Sequence, residues 1–158
     1  MKKPATVFDV AEYFIALSNK EKKKISNKKL QKIVYYAQAW TLVWTGKPLF
    51  SERIEAWIHG PAVPELYQKY KHFGFNPIVL KNPDSPYPFS KEIRDILDLV
   101  WKKYGRYDAQ YLEFLSHQED PWSDTRNELE FDESCNHEIS HESMKKYYSE
   151  KLKRARKK

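Results

Sequence analysis

Stretches with a helical spacing of apolar residues alternate along the chain with short stretches that lack it. Val7, Val10, Ala11, Phe14 and Leu17 share one helical face, and Thr6 with Asp9 has the form of a capping pair. That spacing predicts a first helix over about Val7 to Asn19. Ser26 or Asn27 can cap a second helix, whose stripe is Leu30, Ile33, Val34, Ala37, Trp40 and Trp44 and whose stop is Gly46. Its length and aromatic weight predict a central helix buried against several neighbours.

Past Gly46-Lys47-Pro48 the period changes. Ile54, Ala56 and Ile58 alternate with Glu55, Trp57 and His59, the period of a strand, and Leu49 and Phe50 are its candidate partner. A two-stranded element is marginal alone, so it must pack on helices. His59-Gly60-Pro61 ends the strand, Pro61 suits the first turn of a third helix, and Val63, Leu66, Tyr67 and Tyr70 continue it to Gly74. Phe75 to Phe89, with Pro77, Pro83, Pro86 and Pro88, reads as an irregular connection. Ser90 can cap a fourth helix carrying Ile93, Ile96, Leu97, Val100 and Trp101, with Gly105 beyond its end. Asp108 can cap a fifth, carrying Tyr111, Leu112 and Leu115, which Pro121 must end. A short turn from Pro121 to about Arg126 and a polar loop from Asn127 to His137 precede a last helix, about Ser140 to Lys153, built on Met144, Tyr147, Tyr148 and Leu152. The expected fold is mainly α, a compact single-domain bundle of about six helices with one small antiparallel β element.

Composition narrows the class. With 158 residues, 41% of them hydrophobic, the chain suits one domain with one core rather than a disordered segment. No apolar run approaches the ~18 to 20 residues that span a bilayer, so no membrane partner is expected and the cytoplasm is the expected compartment. The lone Cys135 cannot form an internal disulfide. The net charge of +6 belongs to the end of the chain: Lys151, Lys153, Arg154, Arg156, Lys157 and Lys158 carry it, whereas residues 1–150 hold 22 bases and 22 acids. The expected organisation is therefore a domain over 1–150 and a basic C-terminal tail over 151–158. Such a tail is a candidate nucleic-acid contact through phosphate neutralisation, and more commonly a solubilising end. Lys20, Lys22, Lys23, Lys24, Lys28 and Lys29 read as a solvated loop between helices.

Two constellations invite chemistry. Glu55, Trp57 and His59 project from one side of the predicted strand, opposite Ile54, Ala56 and Ile58. An acid-base pair there would need a cleft and a third group, and no Ser, Cys or Asp arrangement is legible nearby. The better reading packs Trp57 under a neighbouring helix, while Glu55 and His59 hold the strand-to-helix corner. His117, Glu119, Pro121, Trp122 and Arg126 form the second set, in which a Glu119 to Arg126 or a His59 to Glu119 link would tie the two together. Cys135, His137 and His141 lack a fourth ligand and paired spacing, so neither metal nor cofactor is expected. Tyr35 and Tyr36 diverge by about 100° on the second helix, so one of them is expected to face a groove or a partner.

Four segments together resemble the Panacea domain, the SocA-like family of bacterial and phage antitoxins. They are Lys29-Leu30-Gln31-Lys32-Ile33-Val34-Tyr35-Tyr36-Ala37-Gln38, Pro48-Leu49-Phe50, Ile54-Glu55-Ala56-Trp57-Ile58-His59-Gly60-Pro61-Ala62-Val63-Pro64, and His117-Gln118-Glu119-Asp120-Pro121-Trp122 with Arg126. The resemblance runs roughly from Val10 to Tyr148, and Tyr35, Tyr36, Glu55, Trp57, His59, Gly60, Pro61, Pro64, Tyr67, His117, Glu119, Pro121, Trp122 and Arg126 are its structural or partner-binding residues. It implies a non-enzymatic protein that neutralises a toxin encoded beside it by direct contact, with an ATP-dependent protease as a further partner where a family member acts as an adapter. The alternatives are a nucleic-acid-associated protein using the basic tail and an enzyme centred on His59.

Overall fold

A computed structural model describes residues 4–80 and 87–157; Pro83, Pro86 and Lys158 lie outside the described residues. The described chain is mainly helical, with one hairpin and irregular connections between the elements. Helix α1 spans Val7–Lys20 and opens on the Thr6/Asp9 capping box, in which each side chain bonds the other's backbone N–H. Helix α2, Asn27–Thr45, is capped by the Ser26 side chain and stopped by Gly46, whose φ of +75° suits a glycine.

Helix α2 is the axis of the fold. Against it pack α3 (Pro64–Tyr70), α4 (Lys91–Tyr104), α5 (Ala109–His117), α7 (His141–Arg156), α1 and the hairpin. Enclosed on so many sides, it buries every residue from Lys29 to Leu42. Tyr35 and Tyr36 are accordingly both buried, at 1% and 0% exposure, and neither faces a groove. Adjacent residues diverge around a helix, but here both directions meet protein: Tyr36 stacks on Tyr104 at 3.9 Å, and Tyr35 meets Tyr148 edge-on. Lys29 is not in a solvated loop either. Its ammonium is buried, donating to Gly105 O at 2.6 Å and lying over the Trp101 ring.

The strand β1 is Glu55–Trp57, within the alternating segment, but its partner is not Leu49-Phe50. Strand β2, Gly60–Ala62, pairs with it antiparallel, with Ala56 opposite Pro61 and Trp57 opposite Gly60, so Ile58 and His59 form the hairpin turn. Gly60 takes φ +105°, a conformation that L side chains rarely adopt. Leu49 and Phe50 are occupied otherwise: the Gln38 amide accepts from Leu49 N at 2.7 Å and donates to Phe50 O at 2.8 Å, filling the place of a strand. Pro61 consequently starts no helix. Pro64 does so instead, three residues later, and a 3₁₀ turn, Lys71–Phe73, extends α3 to Gly74.

On its other edge β1 meets residues 137–139. Ala56 N donates to His137 O at 2.9 Å and Ile139 N to Ile54 O at 2.8 Å. The expected turn after Pro121 is a seven-residue helix, α6 (Asp120–Arg126), which brings the α-helices to seven among the described residues. Asp120-Pro121 supports this because a proline at the start of a helix forfeits no hydrogen bond.

Helix α7 runs through position 151 without a break and ends only at Arg156. Leu152 packs against the core, and the Lys151 ammonium reaches the buried Glu119 carboxylate at 3.1 Å. The start of the basic stretch thus belongs to the folded body. A chain ending at Glu150 should lose about 2 kcal/mol of stability, because Leu152 burial and the only cation on Glu119 among the described residues go together. A chain ending at Lys157 should keep its thermal midpoint, and differential scanning calorimetry on the two truncations checks both outcomes.

Candidate functional site

A concavity lies beside the hairpin, between the first half of α2, the β1–β2 turn and α3. It encloses about 750 Å³ and is lined by Gln31, Lys32, Trp57, His59, Tyr67 and Lys71, among others. Each element delivers its side chains for a local reason. Strand alternation buries Ile54 and Ala56 and turns Glu55 and Trp57 outward, where both are half-buried. The Trp57 indole N–H donates to Glu55 at 2.9 Å, and its ring stands edge-on to Tyr67 of α3 at 5.2 Å. Trp57 is therefore not tucked under a helix; it walls the groove. Arg53 closes the other Glu55 oxygen at 3.1 Å.

Three side chains hold the hairpin from behind. Trp122 donates its indole N–H to Trp57 O at 2.8 Å, and the His117 ring stacks on Trp122 at 3.8 Å. Arg126, 4% exposed, donates to Ala56 O at 2.9 Å and to the carbonyls of Glu130, Phe131 and Glu133. It spends its guanidinium on backbone and makes no bond to Glu119. Burial lowers the pKa of His117, which favours its neutral, stacked form.

Glu119 faces a different part of the molecule from the one expected. It is 2% exposed and accepts from the Tyr36 hydroxyl at 2.6 Å, the Tyr148 hydroxyl at 2.9 Å and the Lys151 ammonium at 3.1 Å. Tyr35 extends the chain through Tyr148 at 2.9 Å. This network binds α2, α6 and α7 and reaches neither His59 nor Arg126. Burial, with the carboxylate beside it, pushes the Tyr36 hydroxyl well above the usual tyrosine range.

His59 sits at the exposed tip of the turn, its side chain 72% exposed, with Nδ1 3.4 Å from the Glu113 carboxylate. Lys28 reaches the same carboxylate at 2.5 Å. Partial burial works to raise the Glu113 carboxyl, but the hydrogen bonds and charges of Lys28 and His59 outweigh it, so Glu113 titrates below its ordinary value. No hydrogen bond joins His59 to a Ser, Thr or Cys among the described residues; Ser116 Oγ, nearby on α5, donates to Glu113 O. Of the sulfur and imidazole groups weighed for metal, His137 meets Cys135 through its backbone N–H, and the His141 ring lies 3.5 Å from the Gln38 amide.

Lys32 and Gln31 were not singled out from the sequence. Gln31 accepts from Val63 N at 2.9 Å and donates to Asn27, while Lys32, 2% exposed, donates to Pro61 O at 3.2 Å. A Cβ on Gly60 would stand 2.5 Å from Lys32 Cε, so the glycine is what lets the lysine stem pass beneath the hairpin. Their signal was the density of polar residues (Asn27, Lys29, Gln31, Lys32, Gln38) in a helix too central to expose them.

The arrangement defines a class: a helical domain whose central helix supports a small hairpin, with a groove rich in cations and aromatic rings beside it. Residues 30–123, from α2 into α6, match the family described as "Antitoxin SocA-like, Panacea domain", and the chain belongs to that family. It is 33% identical over 110 residues to Antitoxin SocA of Caulobacter vibrioides (strain NA1000 / CB15N), an alignment covering 62% of this chain. The aligned part spans 58% of that relative's length. No solved structure matches. Among the described residues, no helix is long and apolar enough to cross a membrane.

Two measurements follow. Glu119→Ala should cost about 3 to 5 kcal/mol, because two buried hydroxyls and a cation lose their acceptor, whereas Glu119→Gln, which keeps an acceptor for the tyrosines, should cost roughly 1 to 2 kcal/mol. Urea denaturation of the pair reads both. Burial also pushes the Lys32 ammonium down to about 7 from its usual 10.5. Between those values the unfolded chain holds a proton that the folded chain has lost, so stability rises with pH. Lys29 and Lys103, lowered by burial as well, act in the same direction. The wild type should gain on the order of 1 kcal/mol per pH unit from pH 7.5 to 9.5, and Lys32→Met should lose most of that slope.

Proposed function

We propose that this domain is an antitoxin that binds a protein toxin encoded beside it and neutralises the toxin by contact, without altering it covalently. The observation that carries this reading is the family match over residues 30–123, which contains the hairpin, Trp57, His59 and Glu119. The half-buried Trp57 and Tyr67 support it, since aromatic side chains give large contact area for little ordering cost. Binding also serves an adapter that hands the toxin to an ATP-dependent protease, because delivery begins with the same contact. Either mode places the protein in the cytoplasm with its toxin. The exposed Lys153, Arg154 and Arg156 at the end of α7 support a second, subsidiary reading as a phosphate-backbone contact.

Co-expression with the product of the adjacent gene decides among these. Growth should be restored, and the purified complex should show both masses unchanged in a fixed ratio. Rescue that persists in a host lacking its ATP-dependent proteases supports holding; rescue lost there supports delivery. Covalent change on the toxin produced by trace amounts of this protein would sink the binding reading. A nucleic-acid affinity that falls steeply with salt and disappears on replacing Lys153, Arg154 and Arg156 would favour the subsidiary one.

A further inference from the structure

The groove beside the hairpin is lined by cationic side chains and, among the described residues, by no carboxylate. Residues 1–150 balance 22 bases against 22 acids, yet Lys28, Lys32, Lys71 and His59 all line this concavity. Glu113 pairs with Lys28 and His59 at the rim, and its charge also favours the Lys32 ammonium without a direct bond to it. At the floor, Lys32 is 2% exposed, and among the described residues its ammonium has Pro61 O as hydrogen-bond acceptor, for a group with three N–H donors. A buried cation with unused donors on a side chain that lines a cavity is a place for an anion.

The walls limit which anion. Trp57 and Tyr67 form one side, and Phe75, 93% exposed, stands at the rim as a large apolar side chain in solvent. A volume of about 750 Å³ holds several side chains rather than a lone ion. The floor asks for one carboxylate and the walls for apolar neighbours.

We propose that this groove is the toxin-binding site and takes an acidic segment of the toxin, an Asp or Glu carboxylate seated on Lys32 with apolar side chains flanking it against Trp57, Tyr67 and Phe75. The proposal rests on the antitoxin reading above for the source of the segment. Lys32 supplies the charge-assisted hydrogen bond, Lys71 and Lys28 draw the segment in, and Gly60 keeps the floor open to the lysine.

The test begins without the toxin. Isotope-labelled protein at pH 6, below the point at which Lys32 gives up its proton, is titrated with the capped peptide acetyl-Phe-Glu-Phe-amide, with acetyl-Phe-Gln-Phe-amide and with inorganic phosphate, following the Trp57 indole and the His59 and Gly60 amides by NMR. The Glu peptide should shift these signals with an affinity roughly tenfold above that of the Gln peptide, the scale of one charge-assisted hydrogen bond. Lys32→Met should remove that preference, and Lys71→Glu, at an exposed position, should weaken the Glu peptide several-fold if Lys32→Met fails to fold. Equal binding of the two peptides, no shift with either, or phosphate binding more tightly than the Glu peptide would overturn the assignment. In the growth assay, folded Lys32→Met and Lys71→Glu should both lose rescue. If they rescue as well as the wild type, the groove is not the toxin site and the antitoxin reading stands. If the wild type itself fails to rescue, the antitoxin reading falls, while the peptide titration still decides what the groove accepts.

Discussion

The buried carboxylate of Glu119 is the constraint around which this domain closes. An ionised group out of water is tolerated only when hydrogen-bonded and paired, and here two tyrosine hydroxyls and a lysine ammonium converge on it from two other helices. Each partner is fixed by the requirement as much as it satisfies it. Tyr36 must lie on α2, Tyr148 and Lys151 must lie a turn apart on α7, and α6 must begin where the carboxylate can reach all three. Breaking one contact leaves a buried charge or a buried hydroxyl unmatched, so the three helices are held together as a unit.

The same economy operates along α2. A helix enclosed by neighbours would ordinarily be apolar all round. This one instead carries Gln31, Lys32 and Gln38 inward, and each is spent on backbone that has no secondary-structure partner: Val63 N, Pro61 O, and the amide pair of Leu49 and Phe50. A two-stranded hairpin cannot stand by itself. It persists here because α2 satisfies its polar groups from below while Trp122 and Arg126 bond its carbonyls from the side.

What the sequence disclosed follows from the range of the forces involved. Helices α1, α2 and α4 were legible because capping residues, apolar stripes and stop glycines are local signals, and Thr6, Ser26, Gly46 and Ser90 do what their types predict. The hairpin partner was not legible, since Leu49-Phe50 and Gly60–Ala62 are both acceptable strands and the choice is made by Gln38, a residue eleven positions upstream of Leu49. Helix α6 was read as a turn because seven residues carry too little periodicity. The partners of Glu119 were missed for a different reason: Tyr148 and Lys151 are 29 and 32 residues away, and Lys151 looked like the start of a solvated tail. Membership of a family was readable from motif residues, but which of them touch one another was a tertiary fact.

The two halves of the motif, one on the hairpin and one at the start of α6, meet at the Trp122 indole and the Trp57 carbonyl. That contact joins the groove to the Glu119 network, because the helix that presents Trp122 is the one Glu119 anchors. Residues in the second half can therefore govern binding while touching no partner. A substitution at Glu119 or Arg126 acts on the groove by releasing the hairpin, and its effect on affinity should scale with its effect on stability. One at the exposed Lys71 acts inside the groove and should change affinity out of proportion to stability. Sorting motif residues by that ratio, rather than by whether they abolish function, separates those that build the surface from those that are the surface.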